Sequence, residues 1–110
     1  MTIRELNTGD TFRFPLGIAK YIMLNCVNTD EIGWLIDFAN IKNGQRYHYI
    51  EQLFRQKNDP TKRKVIRIKK EAVRPKSFTY GPDWRNGQQI EAKQVEQAFG
   101  IKLSKKAIIK

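Results

Sequence analysis

Over residues 1–70, apolar side chains recur at every second position often enough to read as β-strand. Thr8-Gly9-Asp10 supplies a turn into a short strand whose Phe12 and Phe14 share one face, and Pro15-Leu16-Gly17 breaks that strand. The run Ala19 to Val27 then resumes β-forming sequence and ends at Asn28-Thr29-Asp30.

The sharpest local prediction is a hairpin. Trp34 to Ile41 and Arg46 to Leu53 flank Lys42-Asn43-Gly44-Gln45, and Asn-Gly is the preferred pair for a type I′ turn. A two-residue loop sets Phe38 opposite Tyr49, Asn40 opposite Tyr47 and Trp34 opposite Leu53, on the face that also holds Ile36. The other face mixes Leu35 and Ile50 with Asp37, Arg46 and His48. Apolar residues on both faces point to a closed or covered sheet.

Asn58-Asp59-Pro60-Thr61 reads as loop. Lys64 to Lys69 then alternates as a strand, with Ile66 and Ile68 on one side and Arg67 and Lys69 on the other. Arg74-Pro75 and Tyr80-Gly81-Pro82 are breakers, which makes residues 74–87 an irregular connection. Ile90 to Phe99 has the helical period: Ala92, Val95 and Phe99 fall at i, i+3 and i+7, Ala98 widens the stripe, and Gly100 suits the position after a helix. Ile101 to Ile109 reads as a closing strand.

These elements predict a mainly β chain with a C-terminal helix. The expected β-rich α+β fold is a small SH3-like or OB-like barrel of about five strands plus a helical extension. On this reading residues 1–110 form a single domain, with a barrel core over 1–73 and the loop, helix and closing strand over 74–110. The opening Leu6-x-x-Gly9-Asp10-x-Phe12-x-Phe14 resembles the first strand of many SH3-like barrels, over about a tenth of the chain. That resemblance bears on fold alone.

Composition supports a folded chain, since 40% of residues are hydrophobic and twelve are aromatic. Cys26 is the single cysteine, so no internal disulfide forms, and its apolar run predicts a core thiol. The N-terminal Met-Thr-Ile-Arg-Glu has no apolar signal region, and no stretch approaches the roughly 18 apolar residues that span a bilayer, so a cytoplasmic protein without a membrane role is expected.

Charge changes the picture most. Residues 1–60 carry seven Lys/Arg against seven Asp/Glu, whereas residues 61–110 carry fourteen against four, which gives the whole net +10. The densest stretch holds Lys62, Arg63, Lys64, Arg67, Lys69, Lys70, Arg74 and Lys76, opposed only by Glu71. A positive field confined to one stretch predicts an anionic partner, of which nucleic acid is the commonest. Beyond it, Phe78, Tyr80 and Trp84 lie in a Gly/Pro-bounded loop with Arg85 alongside, and loop aromatics can stack on unpaired bases. Tyr47, near the Asn-Gly turn, is expected to be exposed and to offer a further stacking ring, while Tyr49 is expected in the core.

Signals for catalysis are few. His48 is the only histidine, too few for a histidine-built metal site, and reads as a structural or surface residue. Pro82-Asp83 with Glu91-Ala92-Lys93 is similar in spelling to the PD…ExK motif of metal-dependent nucleases, but the spacing is short and the second half falls in helical sequence. There is no phosphate-binding glycine loop before a helix and no nucleophile motif. The expectation is a non-enzymatic DNA- or RNA-binding protein with no cofactor and no metal, monomeric or homodimeric. It would recognise mainly backbone and shape through the basic strand and aromatic loop. The rival is a protein-interaction or inhibitor module, an accessory of a mobile element, docking on an acidic protein or a nucleic-acid enzyme.

Overall fold

A computed structural model describes residues 1–51, 59–74, 76–79 and 86–109, with backbone alone for 76–79 and 86–89. Its strands are β1 (Thr11–Arg13), β2 (Tyr21–Thr29), β3 (Gly33–Asn40), β4 (Arg46–Ile50), β5 (Ile66–Lys69), β6 (Lys76–Thr79), β7 (Asn86–Gln89) and β8 (Ala107–Ile109). One helix, α1 (Ala92–Phe99), stands near the C-terminus among the described residues. The fold is therefore mainly β with a C-terminal helix, as the periodicity predicts.

The barrel is not formed. Six strands make a mixed sheet in the order β5-β1-β2-β3-β4-β8, antiparallel except for the parallel pair β4–β8, and its edge strands do not meet. Covering, rather than closure, buries the two apolar faces. On one face Ile3, Leu6 and Val65 pack against Phe12, Met23, Ile36, Phe38 and Tyr49. On the other, Val73, Ile90, Val95 and Leu103 pack against Ile22, Leu24 and Ala39.

A bulge lets β2 serve both faces. Met23 pairs with Phe38 while Asn25 pairs with Asp37, so the strand slips one residue at Leu24. Met23 and Cys26 consequently face the same aromatic-rich core although three positions separate them.

The hairpin forms two residues away from its expected register. Phe38 pairs with Tyr47 and Ile36 with Tyr49, which preserves the face of every side chain because the slip is even. Asn40 widens the turn: its Oδ1 accepts from the amides of Lys42 (2.8 Å) and Asn43 (3.3 Å), and its carbonyl accepts from Gly44 N (2.9 Å). Gly44 has φ +77°, and a Cβ there would stand 2.0 Å from the Lys102 carbonyl oxygen. The glycine thus admits the segment that leads to β8, and Ser104 N donates to its carbonyl at 2.9 Å.

Two further differences stand out. Within residues 74–87, expected to be an irregular connection, 76–79 and 86–87 instead belong to a separate antiparallel hairpin, in which Lys76 pairs with Gln89 and Thr79 with Asn86. Tyr47, expected to be exposed, is half-buried and stacks on Phe38 with ring centroids 5.2 Å apart and planes 17° apart. The helix holds as expected: Val95 is fully buried, and Gly100 adopts the left-handed conformation (φ 64°) that ends it.

Candidate nucleic-acid interface

The basic segment starts from a clamp built on Arg4. Asp59 caps a 3-10 turn (Pro60–Lys62), its carboxylate accepting from Thr61 N at 2.8 Å and from Thr61 Oγ1 at 2.7 Å. Arg4 reaches across to that turn. Its Nε donates to the Thr61 carbonyl (3.0 Å), and its Nη2 contacts Thr61 Oγ1, Asp59 and Glu51. Farther along, Ile3 N donates to the Arg63 carbonyl and Val65 N to the Met1 carbonyl, both at 2.9 Å. Lys62, Arg63 and Lys64 therefore project from backbone that is hydrogen-bonded on both sides.

The predicted cations divide into two kinds. Lys62, Lys64, Lys69, Lys70 and Arg74 are exposed, and none forms an ion pair among the described residues. Arg63 and Arg67 are engaged. The Arg63 guanidinium lies 3.8 Å from the centroid of the Phe14 ring, and its Nη1 donates to Tyr49 Oη at 3.2 Å. Burial pushes the Tyr49 phenol upward, and the hydrogen bond and charge of Arg63 oppose that shift.

Arg67 points toward the protein rather than toward solvent. Its Nε is 3.2 Å from Oδ2 of Asp10, which is fully buried and also accepts from Asn7 N (2.9 Å) and Glu71 N (2.8 Å). In β5 Ile66, Ile68 and Lys69 are exposed and Arg67 alone is half-buried, so the apolar side of the strand faces solvent and the predicted basic side is turned inward at Arg67. Glu71, the lone acid of the stretch, is held at φ 46° by the turn its amide makes to Asp10.

Lys76 lies in β6, and Tyr80, Trp84 and Arg85 fall outside the described residues. Of the nuclease-like spelling, Asp83 also lies outside them, while Glu91 is the N-cap of α1 and Lys93 lies in its first turn. That half of the pattern stands on a helix, as its sequence predicts.

One feature of this end of the sheet escaped sequence reasoning. Leu16 and Ile18 project from the β1–β2 turn into solvent. Apolar character usually signals core, and the Pro-Leu-Gly turn chemistry was the available cue that these two leave it.

A second polar cluster sits on the opposite face. Asp37 pairs with Arg46 (2.8 Å) and stands 3.8 Å from His48 Nε2, beside a cleft of about 180 Å³ lined by Asn25, Leu24, Ile90 and Leu103. Burial raises the Asp37 carboxyl above its ordinary value against the lowering effect of His48 and Arg46. Asp37 Oδ1 and Arg46 Nε find no hydrogen-bond partner among the described residues. The Asp37–Arg46 pair joins β3 to β4 from adjacent strands of the sheet. Among the described residues, no group of three or more His, Cys, Asp or Glu is arranged to hold a metal ion, and no helix is long and apolar enough to cross a membrane.

Comparison with known protein families, with curated proteins and with solved structures finds no match.

Proposed function

We propose that this chain is a non-catalytic nucleic-acid-binding protein that grips the phosphate backbone through one basic edge of its sheet. The supporting observation is the set of exposed cations Lys62, Lys64, Lys69, Lys70 and Arg74 on and around edge strand β5, none of them ion-paired among the described residues. Cations held for folding are paired, as Arg4 and Arg67 are; cations left unpaired on a braced backbone suit an external anion. Each phosphate neutralised releases condensed counterions, which gives affinity without sequence reading. Lysines predominate, and they are point charges rather than base-reading forks, so recognition is of backbone and shape.

A second reading has its own support. Among the described residues the outer edge of β5 is unpaired, and it carries Ile66 and Ile68 in the open, the arrangement by which an added acidic strand would dock. Fluorescence anisotropy of nuclease-treated protein with labelled single- and double-stranded DNA and RNA at low salt separates the two. Salt-sensitive binding to any of the four supports the proposal. Failure to bind all four rejects it and leaves the acidic protein partner.

A further inference from the structure

Between β1 and β2 the chain turns through Phe14-Pro15-Leu16-Gly17, closed by Gly17 N donating to the Phe14 carbonyl at 2.9 Å. Proline presets the first corner of this turn. Arg13 braces it, with Nη1 donating to the Pro15 carbonyl at 3.2 Å. Leu16 on this braced turn and Ile18 just beyond it have relative exposures of 102% and 97%. An isolated exposed leucine needs no explanation, but two fully solvated aliphatic side chains within three residues, one on the turn and one just past it, do.

The turn is also surrounded by positive charge. Arg13 and Lys20 flank it in sequence, and Arg63 lies over Phe14 at its root. Arg13 pairs with Ile66, so the start of β5 and the segment carrying Lys64 lie beside the turn. The apolar tip therefore shares its end of the sheet with Lys64, while Lys69, paired with Thr11, lies at the far end of β5.

We propose that Leu16 and Ile18 act as an apolar wedge that enters between stacked bases while the basic edge holds the backbone. This inference rests on the nucleic-acid reading above and assigns the apolar half of the contact. Leucine, isoleucine and proline are among the side chains that pry open base steps, and one or two of them suffice. An anionic bilayer has the same pairing of charge and apolar interior, but attachment there scales with buried apolar area, and two side chains supply little.

The test compares wild type with the double variant L16S/I18S on a duplex carrying 2-aminopurine, whose fluorescence rises on unstacking. Both positions are solvent-exposed, so the variant is expected to fold, which its melting curve checks. Wild type should raise the fluorescence, and the variant should lose that rise and bind about tenfold more weakly with an unchanged salt slope. Retained fluorescence and affinity in the variant, with salt-dependent binding intact, overturns the wedge alone. No salt-dependent binding by wild type overturns the nucleic-acid reading and the wedge with it. Flotation of wild type, but not of L16S/I18S, with phosphatidylserine-containing vesicles and no unstacking of 2-aminopurine overturns the wedge in favour of a lipid contact.

Discussion

The Arg67 guanidinium stands 3.2 Å from the fully buried carboxylate of Asp10. The contact is electrostatic, since Arg67 Nε makes no well-directed hydrogen bond. Asp10 also accepts the amides of Asn7 and Glu71, so one carboxylate ties the turn before β1 to the turn after β5. Arg67→Ala leaves that buried charge without its counterion and is expected to cost roughly 2–4 kcal/mol in urea denaturation. Lys69→Ala, two residues along on exposed surface, should stay within about 0.5 kcal/mol. Equal costs would mean that Arg67 is a surface cation after all.

Cys26 offers a chemical reading of the core. Burial pushes its thiol up to about 12, against a smaller lowering effect from Arg4. At pH 8 the folded protein should react with a thiol reagent about a thousandfold more slowly than a free cysteine, and at the free rate once denatured. Because the folded value is raised, the protonated thiol's contribution to stability is complete below the unfolded value. It declines as pH rises from about 8.5 toward the folded value. Cys26→Ala should flatten that alkaline decline in denaturation midpoints.

Gly44 joins the hairpin to the C-terminal segment. Alanine there meets both the positive φ and the Lys102 carbonyl 2.0 Å from its Cβ. Gly44→Ala is expected to lose at least about 2 kcal/mol and to release β8 from β4, seen as faster amide exchange at Ser104 and Ile109. Unchanged exchange at those amides would separate the glycine from the docking of β8.

Arg63 has a flat group to place, and lysine does not. Arg63→Lys keeps the charge but removes the stack on Phe14 and weakens the bond to Tyr49, so a loss of about 1 kcal/mol is expected. Nucleic-acid affinity should change less than for a substitution that reverses charge at Lys64.

What the sequence reveals depends on how local each determinant is. The β1 to β4 strands, helix α1 and its glycine stop rest on short-range period and turn chemistry, and they form as the pattern predicts. The hairpin register depends on the Asn40 side chain bonding to its own loop, and that competes with the Asn-Gly preference. The bulge at Leu24 has no periodic signature; it is visible only where Met23 and Asn25 meet adjacent partners. Closure into a barrel was a global inference, and nothing local distinguishes a closed sheet from one covered by Ile3, Val65, Val95 and Leu103. For the candidate interface, the cluster of lysines was legible from charge. That Arg67 belongs to Asp10 was not, because the pair is 57 residues apart in sequence.

The proposed nucleic-acid binding by this edge depends on phosphate contacts from its exposed lysines. The most direct test is the slope of log affinity against log salt for wild type and for K64E/K69E, with melting curves to show that both fold. A steep wild-type slope is expected, falling by about 0.9 for each lysine contact with duplex DNA that is lost, with a smaller decrement on a single strand. Equal affinity and slope in the two proteins would contradict it.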